Sequence, residues 1–220
     1  MSTDKELVVL LHGIMDGGYK MNGMERRMQA EGYDTLNISY PSTRMCLEDL
    51  TEFLHEKLSA SEEFNKAAKV HFIGHSMGGL LTRYYVHKYR PQNLGRVVTA
   101  GTPHKGSAFA DMLNEHPALR PLFEKICGPA GVQLREAHEH DPEMVIDYEL
   151  GCIAGSDWLN PLAPFVLTGD HDGTVTVEST RIDGMKDHIV VKANHPFMMS
   201  FQVVQDQAAH FIKHGAFQHP

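Results

Sequence analysis

Cysteine is scarce in this chain. There are three, Cys46, Cys127 and Cys152, an odd number with no closely spaced pair. That excludes a disulfide-stapled scaffold and suits reduced thiols in a cytoplasmic protein, with a Cys127–Cys152 bridge as the alternative. Long apolar runs are missing too: nothing approaches the ~18 residues a membrane span needs, so stable membrane insertion is not expected. Met1 to Glu6 is polar and mixed in charge, and Leu7 to Leu11 is too short for the core of a secretory signal. Positive charge is in deficit, with 28 Asp+Glu against 20 Lys+Arg and a net charge of −8, which argues against a nucleic-acid partner. No internal repeat or low-complexity segment is visible, and no pattern speaks to oligomeric state.

The chain does have an ample core. Its 220 residues are 42% apolar, enough for one domain over 1–220. A domain of this size buries roughly 70% of its unfolded surface and needs no disulfide or metal to fold. It also has 15 histidines, which could serve metal binding, acid–base chemistry or neither.

Short unbroken apolar runs recur, as expected of strands buried on both faces. Strands are predicted at Leu7–Leu11, Thr35–Ser39, Val70–Ile73, Arg96–Ala100, Tyr148–Ala154 and His188–Lys192. Helices are predicted around Met24–Ala30, at Leu47–Leu58, at Met77–Tyr89 and at Pro196–Lys213. In the last, Phe197, Phe201, Val204, Ala208 and Phe211 fall on one face. The alternation predicts an α/β fold: a mainly parallel six-stranded sheet with helices on both faces. The stretch at about 103–147 interrupts the rhythm and reads as a small helical lid, broken at Gly128-Pro129-Ala130-Gly131.

Gly74-His75-Ser76-Met77-Gly78 matches G-x-S-x-G at the end of a strand and the start of a helix. Composition alone yields about 0.07 such matches in a chain of this size. A sharp strand–turn–helix elbow exposes the serine hydroxyl above the sheet, and flanking glycines leave room for the turn. Such a serine needs a base, and the base needs an orienting acid. Both are expected at the carboxyl ends of later strands. His195 lies just beyond the last strand, and Asp172 lies in the preceding loop with Gly173 behind it; Asp170 is the runner-up acid and Asp157 the third. The other histidines fit less well. His188 is at the wrong end of a strand, His55, His87, His210 and His214 lie in helices, and His75 is expected to project away from the elbow.

A developing oxyanion needs two backbone N–H donors. One is expected from Met77, the other from Ile14, or second from Met15, in the loop after the first strand. Met15, Met77, Met198 and Met199 could flank an adaptable apolar pocket. His104 is expected to line the mouth of the site and, with Met15, to touch substrate. An apolar lid face over the site would carry Phe109, Met112, Leu113, Leu119, Leu122, Phe123 and Ile126.

The chain resembles the α/β-hydrolase superfamily, and within it small lipase-like serine esterases. The resemblance spans nearly the whole chain and rests on His12-Gly13, Gly74 to Gly79, Gly101 to Ser107, Asp170 to Val175 and His195. It implies a Ser76-His195-Asp172 triad and ester hydrolysis through an acyl-enzyme, with a small-molecule acyl ester as the partner. It also implies that Asp172, in its Asp-Gly-Thr-Val context, is the acid. The chain has no room for the two strands that precede the oxyanion strand in larger members, so it reads as a minimal α/β-hydrolase fold. No cofactor and no metal are implied: His138-Glu139-His140-Asp141 lacks a metal-ligand spacing, and the calcium of some relatives is not carried over. An acyltransferase or thioesterase with the same triad, or a non-catalytic scaffold, are the alternatives.

Overall fold

The first strand, β1 (Glu6–Leu11), is buried along all but its first residue, and its neighbours explain why. In this computed structural model, which describes residues 5–107, 110–111, 120–136, 144–159, 163 and 167–220, six strands form one sheet: β1, β2 (Asp34–Ile38), β3 (Lys69–His75), β4 (Leu94–Ala100), β5 (Leu150–Gly155) and β6 (Asp187–Val191). Their order is β2-β1-β3-β4-β5-β6 and every pairing is parallel. Strand order reverses between β1 and β3. The cleft outside the carboxyl ends of such a pair is where doubly wound sheets hold ligands.

Side-chain alternation divides the core into two layers. Leu7, Val9, Leu11, Val70 and Phe72 pack with α2 (Leu47–Ser59) and α4 (Met77–Tyr89) on one face. Val8, Leu10 and Ile73 pack with α1 (Asn22–Ala30) and α6 (Gln202–His214) on the other. Leu47, Leu50, Leu54 and Leu58 of α2 are all buried, each contributing about 1.5–3 kcal/mol. Cys46 caps this helix, its Sγ accepting from Asp49 N, and Glu48 and Asp49 complement the dipole at its start. A short α3 (Glu62–Lys66), capped by Ser61, was not expected from the sequence.

The expected break at Gly128 is present in α5 (Arg120–Glu136): Gly128 has φ 67°, and a Cβ there would meet Thr43 O at 1.8 Å. Beyond the break α5 docks on α2, with Gln133 Oε1 accepting from Leu47 N at 2.6 Å. Of the expected lid face, Phe109, Met112, Leu113 and Leu119, and the side chains of Leu122, Phe123 and Ile126, lie outside the described residues, as do His138, Glu139, His140 and Asp141.

The final helix differs from expectation. His195–Ser200 is a separate 3-10 turn, capped by Asn194 and opened by Pro196, and Phe201 is extended (φ −73°, ψ 128°) before α6 begins. Phe197 is therefore 52% exposed, under the Lys20 ammonium, while Val204, Ala208 and Phe211 are buried. The break gives His195 its own rigid turn. The three cysteines are free thiols, and the Cys127–Cys152 alternative is not realised.

Candidate active site

Ser76 sits where β3 turns into α4, with φ 53° and ψ −123°, a conformation rare for a residue with a side chain. The turn closes because Cβ atoms are absent on both sides. A Cβ on Gly74 would lie 2.6 Å from the Gly78 backbone, and one on Gly78 would lie 2.3 Å from Leu11 O. Ser76 N donates to Ala100 O at 2.9 Å, and Ser76 O accepts from Gly79 N and from Thr102 Oγ1, each at 3.0 Å.

The structure brings Ser76, His195 and Asp172 together. His195 Nε2 lies 3.1 Å from Ser76 Oγ, and His195 Nδ1 lies 2.7 Å from Asp172 Oδ2. Asp172 is held in turn: its Oδ1 accepts from Thr174 N at 3.0 Å and Val175 N at 2.8 Å, and its carbonyl accepts from His195 N at 2.9 Å. The runner-up acids stand apart. Asp170 is exposed, and Asp157 is exposed with its carboxylate on Trp158 N. Burial alone would push the His195 pKa down; the Asp172 carboxylate, with help from Asp16, outweighs it and holds the imidazole above its ordinary value. Such a relay can take the serine proton and return it to a leaving group.

Two backbone donors were expected beside Ser76, from Met77 and Ile14. Met77 opens α4, so its N–H has no acceptor within the helix. Ile14 lines the cavity at Ser76. Met15 does not: its N–H donates to Ser42 Oγ at 3.1 Å, and its side chain is 57% exposed with Sδ 3.8 Å from Cys127 Sγ. It is neither a free donor nor a cavity residue, because its positive φ of 61° turns the loop outward. His12 shapes this loop. Its Nδ1 donates to Gly13 O at 2.8 Å, its Nε2 accepts from Tyr40 N at 3.2 Å, and its ring stacks on Tyr40 at 4.1 Å.

His104 is a second correction. It is 4% exposed and lies away from the cavity, with Nδ1 3.3 Å from Arg83 and Nε2 3.0 Å from Thr99 Oγ1. The positive φ of Gly101 (57°) and the tight turn Thr102–Gly106 fold it back under the site. His75 is the converse: expected to project elsewhere, it lines the cavity, its ring 4.9 Å from that of His195. Asp16, Lys20, Ser107 and Thr174 also line this cavity of about 220 Å³ and were missed. Parity was the available signal for His75. It lies two residues after Ile73, which packs with Met198 in the layer that carries the His195 turn.

The family model described as palmitoyl protein thioesterase matches residues 7–136. The matched span holds the His12-Gly13 loop and Ser76 but stops short of Asp172 and His195. A triacylglycerol lipase of Pseudarthrobacter phenanthrenivorans is 44% identical over 68 residues, 31% of this chain and 20% of that protein. One of Burkholderia plantarii is 44% identical over 68 residues, 31% of this chain and 18% of that protein. The matches thus span about a fifth of the length of these curated relatives. Among solved structures, the mature form of Bacillus licheniformis lipase BlEst2 superposes with a TM-score of 0.72 at 21% identity, covering 90% of this chain and 88% of that one. This likeness shows the α/β-hydrolase fold.

Proposed function

The chain belongs to the palmitoyl protein thioesterase family, and from that premise we propose that it is a serine hydrolase of carboxylic esters working through an acyl-enzyme on Ser76. The observation that carries this reading is the unbroken relay Asp172–His195–Ser76 ending at a serine held in a strained elbow. Ser76 Oγ attacks the ester carbonyl as His195 Nε2 takes its proton. The N–H groups of Ile14 and Met77 hold the oxyanion, where removal of one such donor commonly costs about 10²–10³ in rate. His195 then protonates the departing alcohol, and a water molecule, activated by the same imidazole, releases the acid.

Of the segment at about 103–147, the described helix α5 would cover the oxyanion loop as part of a lid. In support, a Cβ on Gly131 of α5 would lie 3.2 Å from Ile14 Cδ1. Among the described residues no helix is long and apolar enough to cross a membrane; the free thiols favour a reducing, cytoplasmic compartment. The family match raises a second reading, in which the acyl group arrives on sulfur. Hydrolysis of p-nitrophenyl butyrate and of the matching acyl thioester is the test. The oxoester reading requires turnover of the former that disappears in Ser76→Ala and falls steeply in His195→Ala. An undiminished rate in Ser76→Ala refutes both readings, and turnover of the thioester alone selects the second.

A further inference from the structure

We propose that His75 and Asp16 form a polar subsite beside the nucleophile that takes a hydroxyl on the alcohol half of the ester. The inference rests on the hydrolase reading above and goes beyond it by naming a feature of the substrate.

His75 is 3% exposed and lines the cavity, yet neither of its ring nitrogens makes a hydrogen bond of good geometry among the described residues; the His195 backbone is near enough to interact with the ring but not to close such a bond. Other buried imidazoles in this chain are engaged: His12 through both nitrogens, His71 with Arg96 N and Glu6, His104 with Arg83 and Thr99. A buried polar group left unpaired destabilises the fold, and such groups concentrate where a ligand completes them. Burial first, and the neighbouring His195 second, hold the His75 pKa far below its ordinary value, outweighing the His195 backbone that favours the cation. The ring is therefore neutral, with one N–H to donate and one nitrogen to accept.

Asp16 faces the same space. The Cβ position over Gly13 lies 3.2 Å from His75 Nδ1, 3.2 Å from Ser76 Cβ and 3.3 Å from Asp16 Oδ2. A Cβ there would crowd all three, so glycine is what lets the loop set Asp16 beside His75 and Ser76. A hydroxyl fits both groups at once: its oxygen accepts from the imidazole N–H while its hydrogen is donated to the carboxylate. The side of the ester follows from the neighbours. His75 packs on the ring of His195, the group that protonates the departing alcohol, and Lys20 lies 4.0 Å from Asp16 on the same rim. Ile14, Pro103 and Val175 supply the apolar lining suited to the acyl chain. A site built to hydrogen-bond a hydroxyl discriminates against the analogue lacking it, because its own polar groups are then left unpaired.

The test compares two butyrate esters of matched size, 2-hydroxyethyl butyrate and propyl butyrate, as competing substrates. The readout is the ratio of their kcat/KM values, which is independent of the folded fraction of a variant. His75→Phe is expected to lower the ratio about fivefold or more in favour of the propyl ester. His75→Asn, which keeps a donor and an acceptor, is expected to retain a larger ratio than His75→Phe. A ratio unmoved by His75→Phe, with both esters still hydrolysed, overturns the subsite and leaves the hydrolase reading standing. Failure of the parent enzyme to hydrolyse either ester overturns the hydrolase reading and the subsite with it.

Discussion

Replacing Asp172 by asparagine changes one atom, yet the structure assigns it a large effect. Asp172 Oδ1 accepts from Thr174 N at 3.0 Å and Val175 N at 2.8 Å. In Asp172→Asn those two backbone donors keep the amide oxygen where Oδ1 was, since the opposite orientation would set N–H against N–H. The amide NH2 group must then point at His195 Nδ1, 2.7 Å from the present Oδ2. A donor there forces Nδ1 to accept, so the proton moves to Nε2, the nitrogen 3.1 Å from Ser76 Oγ. His195 would present N–H to the serine and could not take its proton. The same exchange in serine-protease triads lowers kcat about 10⁴-fold, or about 5 kcal/mol of transition-state stabilisation. Steady-state hydrolysis of p-nitrophenyl butyrate measures the loss, and nitrogen NMR of His195 reads the tautomer. A variant that keeps more than about a tenth of the parent kcat, or a His195 still protonated on Nδ1, would refute the reasoning.

The acid limb of kcat/KM should have its midpoint above the ordinary imidazole value of 6.5, because the Asp172 carboxylate outweighs burial at His195; a pH profile with a midpoint below 6.5 contradicts this. Stability should have the opposite origin. His12, His71, His75, His104 and His188 all have lowered pKa values, burial being the largest cause in each. The unfolded chain then binds more protons below about pH 6.5, so stability is complete above that value and falls with acidification. His188, pushed down to about 4, alone contributes about 2 kcal/mol of loss at pH 5. His195, with its pKa raised, runs the other way, stabilising most below 6.5 and losing that contribution as pH rises through its folded value. Urea midpoints at pH 7.5 and 5 check the sum, and an equal or higher midpoint at pH 5 is the adverse result. Gly78→Ala should cost at least about 2 kcal/mol, since its Cβ would lie 2.3 Å from Leu11 O; an unchanged urea midpoint would show that β1 yields more readily than its buried position implies.

All six strands were legible in the sequence, most of them as short apolar runs, but β2 (Asp34–Ile38), with only Leu36 and Ile38 apolar, from its place between a helix and the turn at Pro41. The elbow was legible because two glycines and a serine at that spacing have few other uses at a strand–helix junction. The relay followed from chain order, since His195 and Asp172 lie beyond later strands. Direction was harder to read. His104 and His75 exchanged their expected places because the first depends on the positive φ of Gly101 and the second on which sheet face carries the His195 turn. Neither is written in local composition. The final helix was read as continuous because Phe197 and Phe201 keep helical spacing; the Asn194 cap and Pro196 make a short turn instead. Asp16 and Lys20 reach the cavity from a loop and a 3-10 turn, where periodicity carries no information.

The central claim is that Ser76 is a nucleophile activated by His195. Its most direct measurement is the intact mass after reaction with a fluorophosphonate, followed by peptide mapping. One adduct per chain is expected, on Ser76, with labelling at least 100-fold slower in His195→Ala. An unlabelled chain, an adduct on another serine, or equal labelling of His195→Ala would contradict the account.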